Sequence, residues 1–144
     1  MFIKQISIFI ENKAGRLAEI TAMLAAEGID IRALSISDTT DFGILRLIVN
    51  DPPKAEKLLR DKGLTFSITN VIAVGLPDRP GGLAEVMQAL AGSGISVEYM
   101  YAFLTPQQRR RACIIMRVED TEKTLQVLQQ ARVETLREEE VYSL

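Results

Sequence analysis

The sequence predicts an α+β protein made of two tandem copies of one βαββαβ unit, each an antiparallel sheet with its helices on one face. Three observations predict it. First, sliding the chain by 66 positions lays residues 12–20 on residues 78–86 and residues 28–31 on residues 94–97. Between 12 and 31, eight of twenty positions are then identical: Gly15, Leu17, Ala18, Glu19, Leu24, Ala25, Gly28 and Ile29. Chance at average composition gives roughly one or two. Second, further on the offset becomes 69, so that residues 45–51 match residues 114–120 and the second copy carries three extra residues near 105–111. Third, strand-period and helix-period segments alternate in the same order in both copies.

The elements follow in order. A first strand (3–10; 71–76) meets a glycine-containing turn. A helix follows, with apolar residues at Leu17, Ile20 and Leu24, and at Leu83, Val86, Met87 and Leu90. That spacing is the stripe of a one-sided helix. Gly28 and Gly94 stand where a left-handed residue ends it. A second strand spans about 29–37 and 95–104, polar turns at 38–41 and 105–108 reverse the chain, and a third strand follows. Asp51 and Asp120 then suit helix N-caps, with Pro52 at the first helical position. The second helices carry Ala55, Leu58 and Leu59, and Val127, Leu128 and Ala131, and Gly63 stops the first of them. A last strand closes each copy, at 65–69 and at about 139–142. This order is that of the ferredoxin-like plait. The domain boundary falls at 69/70, giving units 1–69 and 70–144. With almost no linker between them, the two units are expected to be held in a fixed relation. Alternation also predicts a second apolar face: Leu45, Leu47 and Val49 face the helices, while Ile44 and Ile48 point away with Arg46. Such a face calls for a cover, supplied by the other half of the chain or by another chain.

Composition removes several function classes. The chain has 144 residues, 47% apolar and 25% charged, with a net charge of −2. That charge offers no field for nucleic acid, and the aromatic stacking positions of an RNA-recognition sheet are missing. There is no histidine. The usual general base, the commonest zinc ligand and any Ser-His-Asp or Cys-His arrangement are thereby excluded. A lone cysteine, Cys113, builds no disulfide within the chain and no CxxC site, and it fits a reducing compartment. It is expected to be a buried small apolar residue. No apolar run approaches the roughly 20 residues a membrane helix needs, and the start of the chain lacks a signal-peptide pattern. The expectation is a cytoplasmic protein without catalytic residues, metal or cofactor.

The turn between the first strand and the first helix is the place for binding chemistry. In copy two it reads Asp78, Arg79, Pro80, Gly81, Gly82, Leu83. Glycines let a backbone approach a ligand. The amide N–H groups that open a helix are unpaired and electropositive, so they suit a carboxylate. A nearby Asp carboxylate suits an ammonium group. The two together describe a free amino acid. The plainer reading is that Asp78 is a cap and Pro80-Gly81 a turn.

The pattern Asp-Arg-Pro-Gly-x-Leu, then a helix and Gly-Ile-x-Val, resembles the ACT domain. Copy one is similar but looser, as Asn12, Lys13, Ala14, Gly15, Arg16, Leu17, then Gly28, Ile29, Asp30, Ile31. The resemblance covers essentially the whole chain as two tandem ACT domains. It implies a small-molecule sensing module, most often for amino acids, whose units pair side by side with the ligand held between the turn of one and the second-strand region of its neighbour. Carried over by position, it implies ligand contacts at Asn12, Ala14, Gly15, Arg16 and Leu17, and at Asp78, Arg79, Pro80, Gly81, Gly82 and Leu83. Asp30 and Ser96, after the two Gly-Ile pairs, are implied as further polar contacts. Copy two is favoured, because Asp78 offers a charge where copy one has Asn12. The partners implied are an amino acid, a second copy of the chain in a homodimer and, as an alternative emphasis, a metabolic enzyme that the protein regulates.

Other features carry less. Tyr99 and Tyr101 share one face of a strand and Met100 the other, as pocket wall, dimer contact or packing. Arg109, Arg110 and Arg111 read as a solvated hairpin tip, and residues 138–140 as a solvated acidic run entering the last strand.

Overall fold

A computed structural model of the chain describes residues 2–38, 41–103 and 111–143. The elements run β1 (Ile3–Glu11), α1 (Arg16–Ala26), β2 (Ile31–Asp38), β3 (Phe42–Val49), α2 (Pro52–Asp61), β4 (Phe66–Pro77), α3 (Gly82–Gly92), β5 (Val97–Phe103), β6 (Arg111–Val118), α4 (Thr121–Gln130), β7 (Glu134–Thr135) and α5 (Glu138–Tyr142). They fall into two units, Lys4–Thr69 and Asn70–Leu144 with Met1–Ile3. The polar turns at 39–40 and 105–108, and with them Arg109 and Arg110, lie outside the described residues.

In the first unit the strand order is β2-β3-β1-β4, antiparallel. Ile6 and Ile8 stand opposite Leu47 and Leu45, and these stand opposite Leu34 and Ile36. Directly opposed residues share a face. This face meets Ile20 and Leu24 of α1 and Ala55 and Leu59 of α2 in one core. Each of those four helix residues is essentially fully buried, which is the hydrophobic term that sets helices on sheet. On the other face Ile48 is fully buried and Ile44 and Arg46 are half-buried, as the alternation predicts. Gln5 and Ser7 are buried there as well and hydrogen-bond to each other, Gln5 Nε2 donating to Ser7 Oγ at 3.1 Å. That bond offsets the cost of taking two polar groups out of water.

The second unit repeats the plan as β5-β6-β4-β7. Ile72, Val74, Ile114 and Met116 form a core with Val86 and Leu90 of α3 and Leu128 of α4. Met100 stands opposite Met116 and so shares the helix side, while Tyr99 and Tyr101 face the other way. Cys113 is buried.

The helix ends follow their residues. Lys54 N–H donates to Asp51 Oδ1 at 3.2 Å and Lys123 N–H to Asp120 Oδ1 at 3.0 Å. Replacing either aspartate by alanine is expected to cost about 1 kcal/mol, read from denaturant midpoints. At the other end, Gly28, Gly63 and Gly94 all have φ near +70°. The next residue in each case bonds back five positions: Ile29 to Leu24, Leu64 to Leu59 and Ile95 to Leu90, all at 3.0 Å. This is the Schellman closure.

Two expectations are corrected. The final strand is not at 139–142: those residues lie in α5, and the closing strand is the two-residue β7. Three glutamates open α5, where negative charge favours the helix N-terminus, Glu140 accepts the Arg137 N–H at 2.8 Å, and Val141 is buried. Leu17 and Leu83 also leave the core stripe. They are 38% and 36% exposed, because each sits in the first helical turn beyond the cover of the sheet.

Candidate functional site

The two strand-to-helix turns have the same geometry. Gly15 and Gly81 are the N-caps, with φ of 86° and 87°, in the left-handed region that a side chain disfavours. Neither helix receives a side-chain cap, in contrast to α2 and α4. The first amide of each helix is taken by its own turn, Arg16 N–H donating to the Lys13 carbonyl at 3.3 Å and Gly82 N–H to that of Arg79 at 3.1 Å. The next two N–H groups have no acceptor within the helix, so each turn presents two uncapped, electropositive amides.

In the second unit Asp78, Arg79, Pro80 and Gly81 are all exposed. Arg79 folds back on α3, its Nη2 donating to Glu85 at 2.9 Å and its Nη1 to the Pro80 carbonyl at 3.4 Å. Asp78 caps nothing: among the described residues no hydrogen bond or ion pair engages its side chain. The cap reading therefore fails, and Asp78 keeps a free carboxylate in the turn that leads into α3. Gly82 is there for close approach rather than for its backbone angle. A Cβ on it would lie 2.3 Å from the Pro77 carbonyl oxygen. Backbone cannot yield as a side chain can, so Gly82→Ala is expected to destabilise the protein by about 1–3 kcal/mol, measured by urea denaturation.

In the first unit the turn lines a cleft of about 150 Å³ that gathers Asn12, Lys13, Arg16 and Leu17 with Ile10 and Ile36. Lys13 pairs with Glu11 at 3.2 Å and Arg16 with Glu19 at 3.1 Å. Ala14 and Gly15 are exposed beside it. Arg16 occupies the position of Gly82, so this turn holds cations already matched by their own helix and strand.

Asp30 and Ser96 are not brought to the turns. Each lies past the far end of an 11-residue helix, which is about 16 Å long. The Asp30 N–H donates to Asn50 Oδ1 at 2.8 Å and its carboxylate pairs with Arg32 at 3.1 Å. Ser96 lines a different cleft, with Glu119, Asp120 and Lys123.

A cleft of about 480 Å³ in the second unit was missed by sequence reasoning. It runs from Gly75, Pro77 and Gly82 to Arg111, Arg132 and Glu134. Arg111 and Glu134 form an ion pair across it, and Glu134 raises the Arg111 pKa above its ordinary value by accepting its hydrogen bond and by its charge. The available signal was Arg132, which the 69-residue offset lays on the helix-ending Gly63. Among the described residues no group of three or more Asp, Glu or Cys is gathered as a metal site, and no helix is long and apolar enough to cross a membrane.

The profile of a family described as an ACT domain pair matches residues 1–144. A search of curated proteins found no match. Among solved structures, protein BT0572 from Bacteroides thetaiotaomicron is 42% identical, with a TM-score of 0.94 over 100% of this chain and 98% of that one. The ligand-free regulatory subunit of aspartate kinase from Thermus thermophilus is 21% identical, with a TM-score of 0.62 over 89% and 91%. Its counterpart from Thermus flavus is also 21% identical, with a TM-score of 0.60 over 90% and 92%. At that identity these last two likenesses are of fold.

Proposed function

We propose that this chain, which belongs to the ACT domain pair family, is a non-enzymatic regulatory protein that binds a free amino acid at the turn running from Asp78 to Leu83. The observation that carries this reading is the unengaged Asp78 carboxylate in the turn that leads into the uncapped start of α3. The carboxylate takes the ammonium group and the α3 amides take the carboxylate. The first-unit turn, with Asn12 and a self-paired Arg16, is the weaker site or takes another ligand.

Pairing of two chains completes the site. Each unit leaves apolar side chains exposed on its second-strand edge and the adjoining helix: Leu17, Leu34 and Ile36 in the first, Leu83 and Met100 in the second. Burying such edges drives association, and a ligand bound across the joint favours the assembled state by its differential affinity. The protein is proposed to act in the cytoplasm as a homodimer. The same edges support a second reading, in which the chain works mainly by docking on a metabolic enzyme, in the manner the name "regulatory subunit of aspartate kinase" states for its fold relatives.

A thermal-shift screen of the common amino acids tests the reading. An amino acid at about 100 times its Kd adds about 2.7 kcal/mol of stability, a rise of several degrees in Tm. A flat response to every amino acid contradicts it.

A further inference from the structure

We propose that the cleft between α3 and the α4–β7 connection of the second unit is a second ligand site, adjoining the Asp78 turn at Gly82 but not using Asp78, that takes a small carboxylate with an aliphatic body and binds its carboxylate on Arg132. Arg132 has φ of 57° and is the sole non-glycine residue with positive φ among the described residues. It closes α4 in the same Schellman pattern as the other helices, Val133 N–H bonding to the Leu128 carbonyl at 2.9 Å and Arg132 N–H to that of Gln129 at 3.0 Å. At the same place α1, α2 and α3 use Gly28, Gly63 and Gly94. The first copy, aligned at an offset of 69, has Gly63 where this copy has Arg132. A side chain held where the backbone favours glycine is strain, and strain of this kind collects at binding sites.

Arg132 so placed lines the cleft of about 480 Å³, a volume in the range of small-molecule sites. The other charges of the cleft are already matched. Arg111 is paired with Glu134, and Glu85 with Arg79. The Arg132 side chain engages no hydrogen bond or ion pair among the described residues, so one positive charge is left over. The walls beside it are apolar: Leu76, Pro77, Val86 and Val133. One unmatched cation over an apolar wall selects a monoanion with an apolar body.

Two of the lining positions are glycines in this copy alone. Gly75 and Gly82 line it, where the first copy has Phe9 and Arg16 at an offset of 66. Across Gly75 the Glu134 carboxylate comes within 3.1 Å of where a Cβ would stand. At the cleft this copy therefore differs from the first by two glycines and one cation.

The test uses the full chain and two probes, 4-methylpentanoate and leucine, which share a carboxylate and a branched body and differ in the ammonium group. Binding is read by calorimetry and stability by thermal unfolding. Arg132→Gly removes the cation and relieves the left-handed strain, so Tm is expected to rise while affinity for 4-methylpentanoate falls about tenfold or more. Asp78→Ala is expected to leave 4-methylpentanoate affinity unchanged. Gly75→Phe, the first-copy residue, should reduce binding by displacing the Glu134 carboxylate that lines the cleft, 3.1 Å from the new Cβ. The proposal is overturned if 4-methylpentanoate does not bind the wild-type chain, or if its affinity is unchanged by Arg132→Gly. Leucine binding that is lost in Asp78→Ala and kept in Arg132→Gly, with no 4-methylpentanoate binding, overturns this site and leaves the turn site standing. The reverse pattern overturns the turn site and leaves this one.

Discussion

Asp78→Ala is expected to weaken amino-acid binding by about 10- to 100-fold while leaving the unliganded protein folded. A hydrogen bond to a charged group contributes about 1.5–3 kcal/mol, and a ligand ammonium left without its carboxylate loses that. The fold should not notice, because the carboxylate has no partner to lose, Gly81 is the N-cap of α3, and Asp78 is exposed. Surface substitutions of this kind usually stay within about 0.5 kcal/mol. Asn12→Ala in the first unit should have the smaller effect, since an amide gives no charge to the ammonium. Isothermal titration of all three proteins with the responding amino acid checks this. A Kd in Asp78→Ala within twofold of wild type would remove Asp78 from the site.

Leu90→Ala is expected to destabilise the protein by about 2–5 kcal/mol, and Leu83→Ala by less than about 1 kcal/mol. Seven positions apart on α3, the two leucines lie on the same nominal stripe. Leu90 is 1% exposed within the second-unit core, whereas Leu83 is 36% exposed at the first turn. The cost of the first follows from the cavity left in a close-packed interior. A loss of that size is a large share of the roughly 5–15 kcal/mol that holds a domain together. Leu83→Ala should show its effect elsewhere, in weaker self-association measured by sedimentation, because that side chain belongs to the edge proposed to meet a second chain. Urea denaturation with equal midpoints for the two variants would contradict the division of the stripe.

Much of this was legible in the residues. Regular alternation located β1, β3 and β4, and the Asp51, Asp120, Gly28, Gly63 and Gly94 signals placed helix ends, because caps and left-handed glycines act locally. What failed was set by tertiary cover or by length. The sequence pattern has the same spacing at Leu17 and Leu24, and it cannot say that the sheet ends below one of them. The strand Glu134–Thr135 is too short to show a period of two, and the acidic residues after it are solvated as their charge implies but open α5 instead of a strand. At the site, the turn motif was visible, and the absence of a cap on α3 was not, since Asp78 in the sequence looks like a cap. Asp30 and Ser96 follow the Gly-Ile pairs in sequence, yet a helix length parts them from the turns. The Arg132 cleft assembles four separate segments, and its one linear trace was an arginine aligned on a glycine.

Amide chemical-shift mapping on the isotope-labelled protein, titrated with the amino acid that gives the largest thermal shift, tests the central claim most directly. The account predicts saturable shifts concentrated at Asp78, Arg79, Gly81, Gly82, Leu83 and Ala84, with those around Gly15 smaller or absent. Shifts that saturate elsewhere while these amides stay still would contradict it.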